Sequence, residues 1–373
     1  MSESERRLST GHARGPAPAH GGLPGSEIGD GVEHRRGRHG GLPGSEIGDG
    51  AEHRRGRHGG LPLLRRLAYL ATGLAFAQIV FGAIVRITGS GMGCGDHWPT
   101  CQGYLFPPLE RPDLIVEVTH RYIAATVTIA IIALLITAFM RRAQRGVGGR
   151  GGVFRPAMLA TGLVLTAAVF GGITVKLSLN PYVIVTHLAI AMTLLAVLSI
   201  AVLRAGGWGF DRTEVASPRT YRAARAGVIL AFIVLVMGAL TANVLGANAS
   251  CQGFPWCTGI AVTGTPLYIQ VTHRVLAFLL FFHMIGVAVL AWRRHEPRQV
   301  RVAAWAALGA IVLQIVVAAG MVEMHLPPVW RSLHQAMGTL VWLSIFTLAA
   351  LAKYSLAGRS GEEATLRAAE AAA

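Results

Sequence analysis

Apolar residues in this chain come in long blocks, not in the alternation of a strand or the narrow stripe of a surface helix. From residue 61 onward, eight such blocks of about 20 residues follow one another, the length a helix needs at 1.5 Å per residue to cross a hydrocarbon core of ~30 Å. The pattern predicts spans over 65–86, 114–140, 156–176, 182–204, 222–243, 267–292, 301–322 and 330–353. The fold class expected is therefore an all-α integral membrane protein with eight transmembrane helices.

The connections alternate in charge. Residues 141–155 and 204–225 each hold five arginines and 293–301 hold four, whereas 177–181 and 244–266 have neither Lys nor Arg and 87–113 has only Arg111. By the positive-inside rule the arginine-rich connections and both termini lie in the cytoplasm. All four cysteines then fall on the outer face, as local pairs Cys94 with Cys101 and Cys251 with Cys257. On the outside of a bacterial plasma membrane two disulfides are the plain reading. Zinc binding is the alternative, but neither loop has the paired short spacings of a zinc site.

Composition agrees with the pattern. Hydrophobic residues make up 52% of the chain and charged residues 14%, against about 25% charged in soluble domains. The net charge of +15 does not point to nucleic acid, because the arginines punctuate apolar spans and are not gathered with aromatics on a polar face. Residues 1–62 differ in kind. Gly21–His39 is repeated at Gly40–His58 with Val32 replaced by Ala51. This Gly-rich, polar unit offers too little apolar surface to offset its ordering entropy, so disorder is expected. The tail holds six of the 14 histidines; metal binding there competes with a solvated low-complexity reading. It has no apolar h-region, so no signal peptide is expected.

Spans 1–4 align with spans 5–8. Gly82 matches Gly238, Cys94 and Cys101 match Cys251 and Cys257, VEVTHRY matches IQVTHRV, and Gly172 is matched with Gly320 further on. Four spans per half give parallel repeats about an axis along the membrane normal. The chain thus reads as two tandem four-helix bundles, 63–205 and 206–354, between the tail at 1–62 and a cytoplasmic C-terminal tail at 355–373.

Intramembrane histidines are costly and mark function. His120, His187, His273 and His334 sit one to two turns inside the outer ends of spans 2, 4, 6 and 8, so each half owns two imidazoles at matched depth on different helices. One heme per half, held by a histidine on each side of the iron, fits that arrangement; proton relay or interhelical hydrogen bonding is the alternative for any one of them. His97, His283 and His325 have no assignment. Arg121 and Arg274, next to their histidines, are candidate propionate contacts or snorkelling cations. Arg86 is a third candidate, at an outer span end where a cation is disfavoured.

The halves differ three residues before the first histidine of each pair, where the first has Glu117 and the second Gln270. At that spacing Glu117 shares a helix face with His120. A carboxylate can accept a proton or stabilise a developing cation where an amide can only hydrogen-bond; an interfacial acid near a helix N-terminus is the plainer alternative.

The segments GAIVRITGSGMGCGDHWPTCQG, EVTHRY, GGITVKLSLNPYVIVTHLA and the second-half VTHR and SLHQAMG, spread over residues 65–353, together resemble the heme A synthases. The resemblance implies oxidation of the C8 methyl of heme O to a formyl group by two successive hydroxylations, supplying heme A to terminal oxidase. It implies His120 and His187 as substrate-heme ligands, Glu117 as the catalytic glutamate, His273 and His334 as ligands of a heme b cofactor, and disulfides at both cysteine pairs. Heme O synthase and cytochrome oxidase assembly are the implied partners beside the lipid bilayer. The stretch from Cys94 to Pro99 is one residue longer than the family's commoner CPDWP-like sequence. A diheme electron-transfer protein that modifies neither heme accounts for the four histidines equally well, but gives the Glu117/Gln270 difference no purpose.

Overall fold

The computed structural model describes residues 61–98, 100–103, 106–108, 110–207 and 215–370, with side chains placed as far as Ser355. The 19-residue repeat and its expected disorder lie outside the described residues. Eight helices are long and apolar enough to cross a membrane among the described residues: α1 (Leu61–Ile87), α2 (Pro112–Met140), α3 (Phe154–Lys176), α4 (Pro181–Arg204), α5 (Pro218–Asn243), α6 (Thr265–Arg293), α7 (Arg298–Glu323) and α8 (Pro328–Glu370). The chain is an all-α integral membrane protein.

Each helix starts one to four residues before the apolar block that announces it, because hydropathy registers only the part suited to lipid. Local chemistry sets the start. Proline stands in the first turn of α2, α4, α5 and α6, where its missing N–H costs nothing. Asn180 caps α4 by accepting from Tyr182 N at 3.0 Å, and Ser217 caps α5 by accepting from Thr220 N at 3.2 Å. At the other end, α8 continues to Glu370 although its apolar span ends at Ser355. The segment expected as a C-terminal tail is thus largely helical, in keeping with its Ala, Glu and Arg content.

Packing follows small residues. The inward face of α1 is Leu64, Ala68, Ala71 and Ala75, and that of α7 includes Ala303, Ala304 and Ala307, all buried; short side chains let helix backbones approach closely. The outward faces carry exposed apolar residues such as Ile129, Phe282 and Val316, the surface a bilayer covers. Helices α1 to α4 pack in sequence, with α1 closing against α4, and α5 to α8 repeat the arrangement. Between the halves, α1 meets α8, α4 meets α5, and α4 meets α8. The first two contacts are equivalent and the third is its own equivalent, the pattern that two-fold-related repeats produce.

Both long loops lie at the same end of the bundle. One carries the Cys94–Cys101 disulfide and the other Cys251–Cys257, with Cα–Cα separations of 4.9 and 5.0 Å. The second also forms a short antiparallel hairpin, β1 (Cys251–Gln252) against β2 (Gly259–Ile260), too brief for apolar alternation to reveal.

Candidate functional site

The four histidines enter from the disulfide end of the bundle. His120 and His273 are each eight residues into their helices, and His187 and His334 six, or roughly 12 Å and 9 Å of helical rise. His120 and His187 line one cavity of about 580 Å³ in the first half. His273 and His334 line another, of about 230 Å³, in the second. The linings correspond position by position: along α3 and α7 they keep the spacing that separates His187 from His334, which places Gly172 opposite Ala319. The match of Gly172 with Gly320 is therefore off by one residue. A glycine pair misled because each glycine makes room for an indole from a different element, Trp98 in the loop and Trp330 in α8.

Glycines also seat the imidazoles. A Cβ on Gly82 would lie 3.1 Å from His120 Nε2, and one on Gly238 would lie 2.8 Å from His273 Cε1, so no larger residue fits either place without moving the ring. His273 Nδ1 lies 3.1 Å from the carbonyl of Val234. Donation there fixes the tautomer and leaves Nε2 with a lone pair for a metal. In the first half, His187 Nδ1 and Gln78 Oε1 are buried with no hydrogen-bond partner, and both residues line the cavity. On α7, Gln314 brings its Nε2 to 3.1 Å from His334 Nδ1. Paired imidazoles from facing helices, one of each pair seated on a glycine, are a donor set that would suit a heme-type molecule in each half.

Glu117 is buried at the mouth of the first cavity. Its Oε2 accepts from Cys94 N at 2.8 Å and its Oε1 from Arg121 Nη2 at 2.5 Å. Gln270 does the equivalent work: its Oε1 accepts from Cys251 N at 2.5 Å, while its Nε2 donates to Asn248 O at 3.2 Å. Each thus ties its helix to the first cysteine of the neighbouring disulfide, a role the sequence comparison did not reveal. What remains particular to the first half is the charge and its pairing with Arg121.

The arginines clamp loops. Arg121 donates to His97 O and Thr100 O at 3.0 and 2.8 Å, and Arg274 to Gly253 O and Cys251 O at 2.8 and 2.9 Å. Arg86 stands elsewhere: it lines both cavities and donates to Ala242 O on α5 at 3.2 Å. Gln335 on α8 also lines both. Asp96 sits at the surface, 3.4 Å from Lys176 Nζ at the end of α3. His97 Nδ1 lies 3.3 Å from Cys94 O, His283 Nε2 lies 2.9 Å from Ala223 O and ties α6 to α5, and His325 lies in the α7–α8 turn. Missed altogether were Gln78, whose signal was an amide one turn before Gly82 in an apolar span, and Trp98, which covers Gly172 beside the cavity.

A family model described as "Cytochrome oxidase assembly protein" matches residues 65–346, from the first span into the eighth. A heme A synthase of an Exiguobacterium species is 30% identical over 249 residues, 66% of this chain and 79% of that protein. One from Exiguobacterium sibiricum is 28% identical over 61% of this chain and 76% of its own length, and one from Bacillus pumilus 26% identical over 70% and 85%. The chain belongs to the heme A synthase family.

Proposed function

We propose that this chain oxidises the C8 methyl of heme O to a formyl group by two successive hydroxylations, with heme O in the first-half cavity and heme b in the second. The observation that carries the reading is the pair of corresponding cavities, each with two histidines from different helices, of which only the first has a carboxylate at its mouth. Residues 63–205 form the substrate bundle and 206–354 the cofactor bundle. The arginine pattern orients both termini to the cytoplasm of a bacterial plasma membrane and the heme sites toward the outer face.

His120 and His187 hold the substrate's iron and thereby fix the position of its ring in the cavity. Glu117 presents a negative charge to that ring's edge. Arg121 and the Cys94 amide hold the carboxylate in place, so it is positioned before positive character develops on the substrate, where preorganised groups act most strongly. Heme b, held by His273 and His334, supplies one-electron redox chemistry when bound. Arg86, between the cavities, is the propionate contact best placed to serve both hemes, while Arg121 and Arg274 reach propionates only alongside their loop contacts. The heme O required comes from a heme O synthase, and the heme A made goes to cytochrome oxidase assembly.

Pigment extraction from a host that makes heme O tests the proposal. Heme A appears when this gene is expressed and is absent without it. Purified protein that carries two hemes but leaves heme O unaltered would instead identify an electron-transfer protein.

A further inference from the structure

The two cavities differ in bulk along the wall formed by α3 in one half and α7 in the other. On α3 the first is walled by Val164, Ala167, Ala168, Gly171 and Thr174. At the corresponding places α7 has Ile311, Gln314, Ile315, Ala318 and Met321, each a larger residue. On α2, Ala125 stands where α6 has Phe278. The opposite wall shows no such enlargement: α1 contributes Gln78 and Arg86 where α5 has Val234 and Ala242. The smaller residues on the α2–α3 side contribute to the greater volume of the first cavity, about 580 against about 230 Å³.

That side also opens. Ala125 and Ala168 line the cavity yet are exposed on the apolar flank of the bundle, whereas Phe278 and Ile315 are half-buried. Small residues thus line the first cavity where it meets the lipid-facing surface, and the second has the bulkier Phe278 and Ile315 at the same seam. Phe254, from the hairpin loop, has its ring centroid 6.1 Å from that of Phe278. At its inner end the first cavity presents the unpartnered Gln78 Oε1 and His187 Nδ1, so it is polar where a metal-bearing ring would sit and apolar where it meets lipid.

Two hemes that differ only in iron ligation need equal space. A porphyrin with a long apolar substituent needs more, on the apolar side, with room for the chain to leave toward the bilayer. We propose that the α2–α3 seam receives the isoprenoid chain of the substrate heme, and that Ala125, Ala168 and Gly171 select a prenylated heme for the first half. The closed α6–α7 seam holds the second half to a heme without that chain. This rests on the heme O reading given above.

The test offers full-length protein in detergent an equimolar mixture of heme O and protoheme, the corresponding heme without the prenyl chain. Bound pigments are then identified by mass spectrometry, with the first site distinguished by its loss in His120→Ala. Wild type takes heme O in the first site. The double variant Ala125→Phe, Ala168→Ile copies residues the second half already accommodates; it should lose its preference for heme O by at least about tenfold, the scale of steric discrimination in an apolar pocket, and still bind protoheme. Phe278→Ala with Ile315→Ala gives the converse, admitting heme O to the second site. Undiminished heme O preference in the first variant, or continued exclusion of heme O in the second, overturns the assignment of the seam. A wild-type first site that binds neither heme overturns the heme O reading itself.

Discussion

Glu117 shows how one residue can hold two roles that sequence alone merges. Its position is structural, since Gln270 makes the same bond to a cysteine amide in the other half; only its charge is special. Glu117→Gln is therefore a clean substitution, because the protein already contains an amide at the equivalent place with its loop intact. The variant should insert normally, keep its second-half heme spectrum, and accumulate heme O or a hydroxylated intermediate in place of heme A. Wild-type heme A yield would remove the charge from the mechanism. The glycines beneath the imidazoles allow a graded test. Gly238→Ala puts a Cβ 2.8 Å from a His273 ring carbon, and Gly82→Ala places one 3.1 Å from His120 Nε2. Close-packed interiors tolerate the first intrusion less. Heme content read by absorbance should fall more steeply in the second half of Gly238→Ala than in the first half of Gly82→Ala.

Among the elements, the parts that lipid dictates were legible in the sequence and the parts that water and local hydrogen bonds dictate were not. Every span was visible as an apolar block, whereas the hairpin at Cys251–Ile260, the early helix starts and the extension of α8 leave no hydropathy signal. The junction of α6, α7 and α5 was equally hidden. Glu296, a lone acid among four arginines in its connection, is buried and accepts from Ser217 N at 2.9 Å, from the Ser217 hydroxyl, and from Thr220 Oγ1 at 2.6 Å. It thereby anchors the N-terminus of α5. Glu296→Ala would leave those donors unsatisfied, at a cost of about 1–3 kcal/mol for a buried group, while leaving the distant histidine cavities untouched. Thermal unfolding in detergent should show the loss, with Glu296→Gln falling between it and wild type. At the other end of the bundle, both cysteine pairs should resist alkylation in protein isolated without reductant. Free thiols at all four positions would contradict the loop structure.

For the molecule as a whole, the repeat was legible because histidines and cysteines recur in order, but what joins the halves was not, since an interface between repeats imposes no periodicity. Among the described residues, the side-chain hydrogen bonds that cross it include Trp342 Nε1 donating to Met192 O at 2.9 Å, Arg204 Nε donating to the Tyr354 hydroxyl at 2.9 Å, and Arg86 Nη1 donating to Ala242 O at 3.2 Å. Arg86 matters further because it belongs to α1 of the first half and yet lines the cavity of the second. A guanidinium beside a heme favours the less positive, reduced iron, and a charge that lines both cavities would act on both in a medium of low dielectric. Arg86→Gln removes the charge and retains a donor for Ala242 O, so the interface should survive. The second-half heme should then become harder to reduce, its midpoint potential falling by on the order of tens of millivolts, although no residue of its own bundle has changed. Redox titration of the purified variant reads this directly. A potential identical to wild type would mean that Arg86 serves the first cavity alone and that the two sites are electrostatically independent.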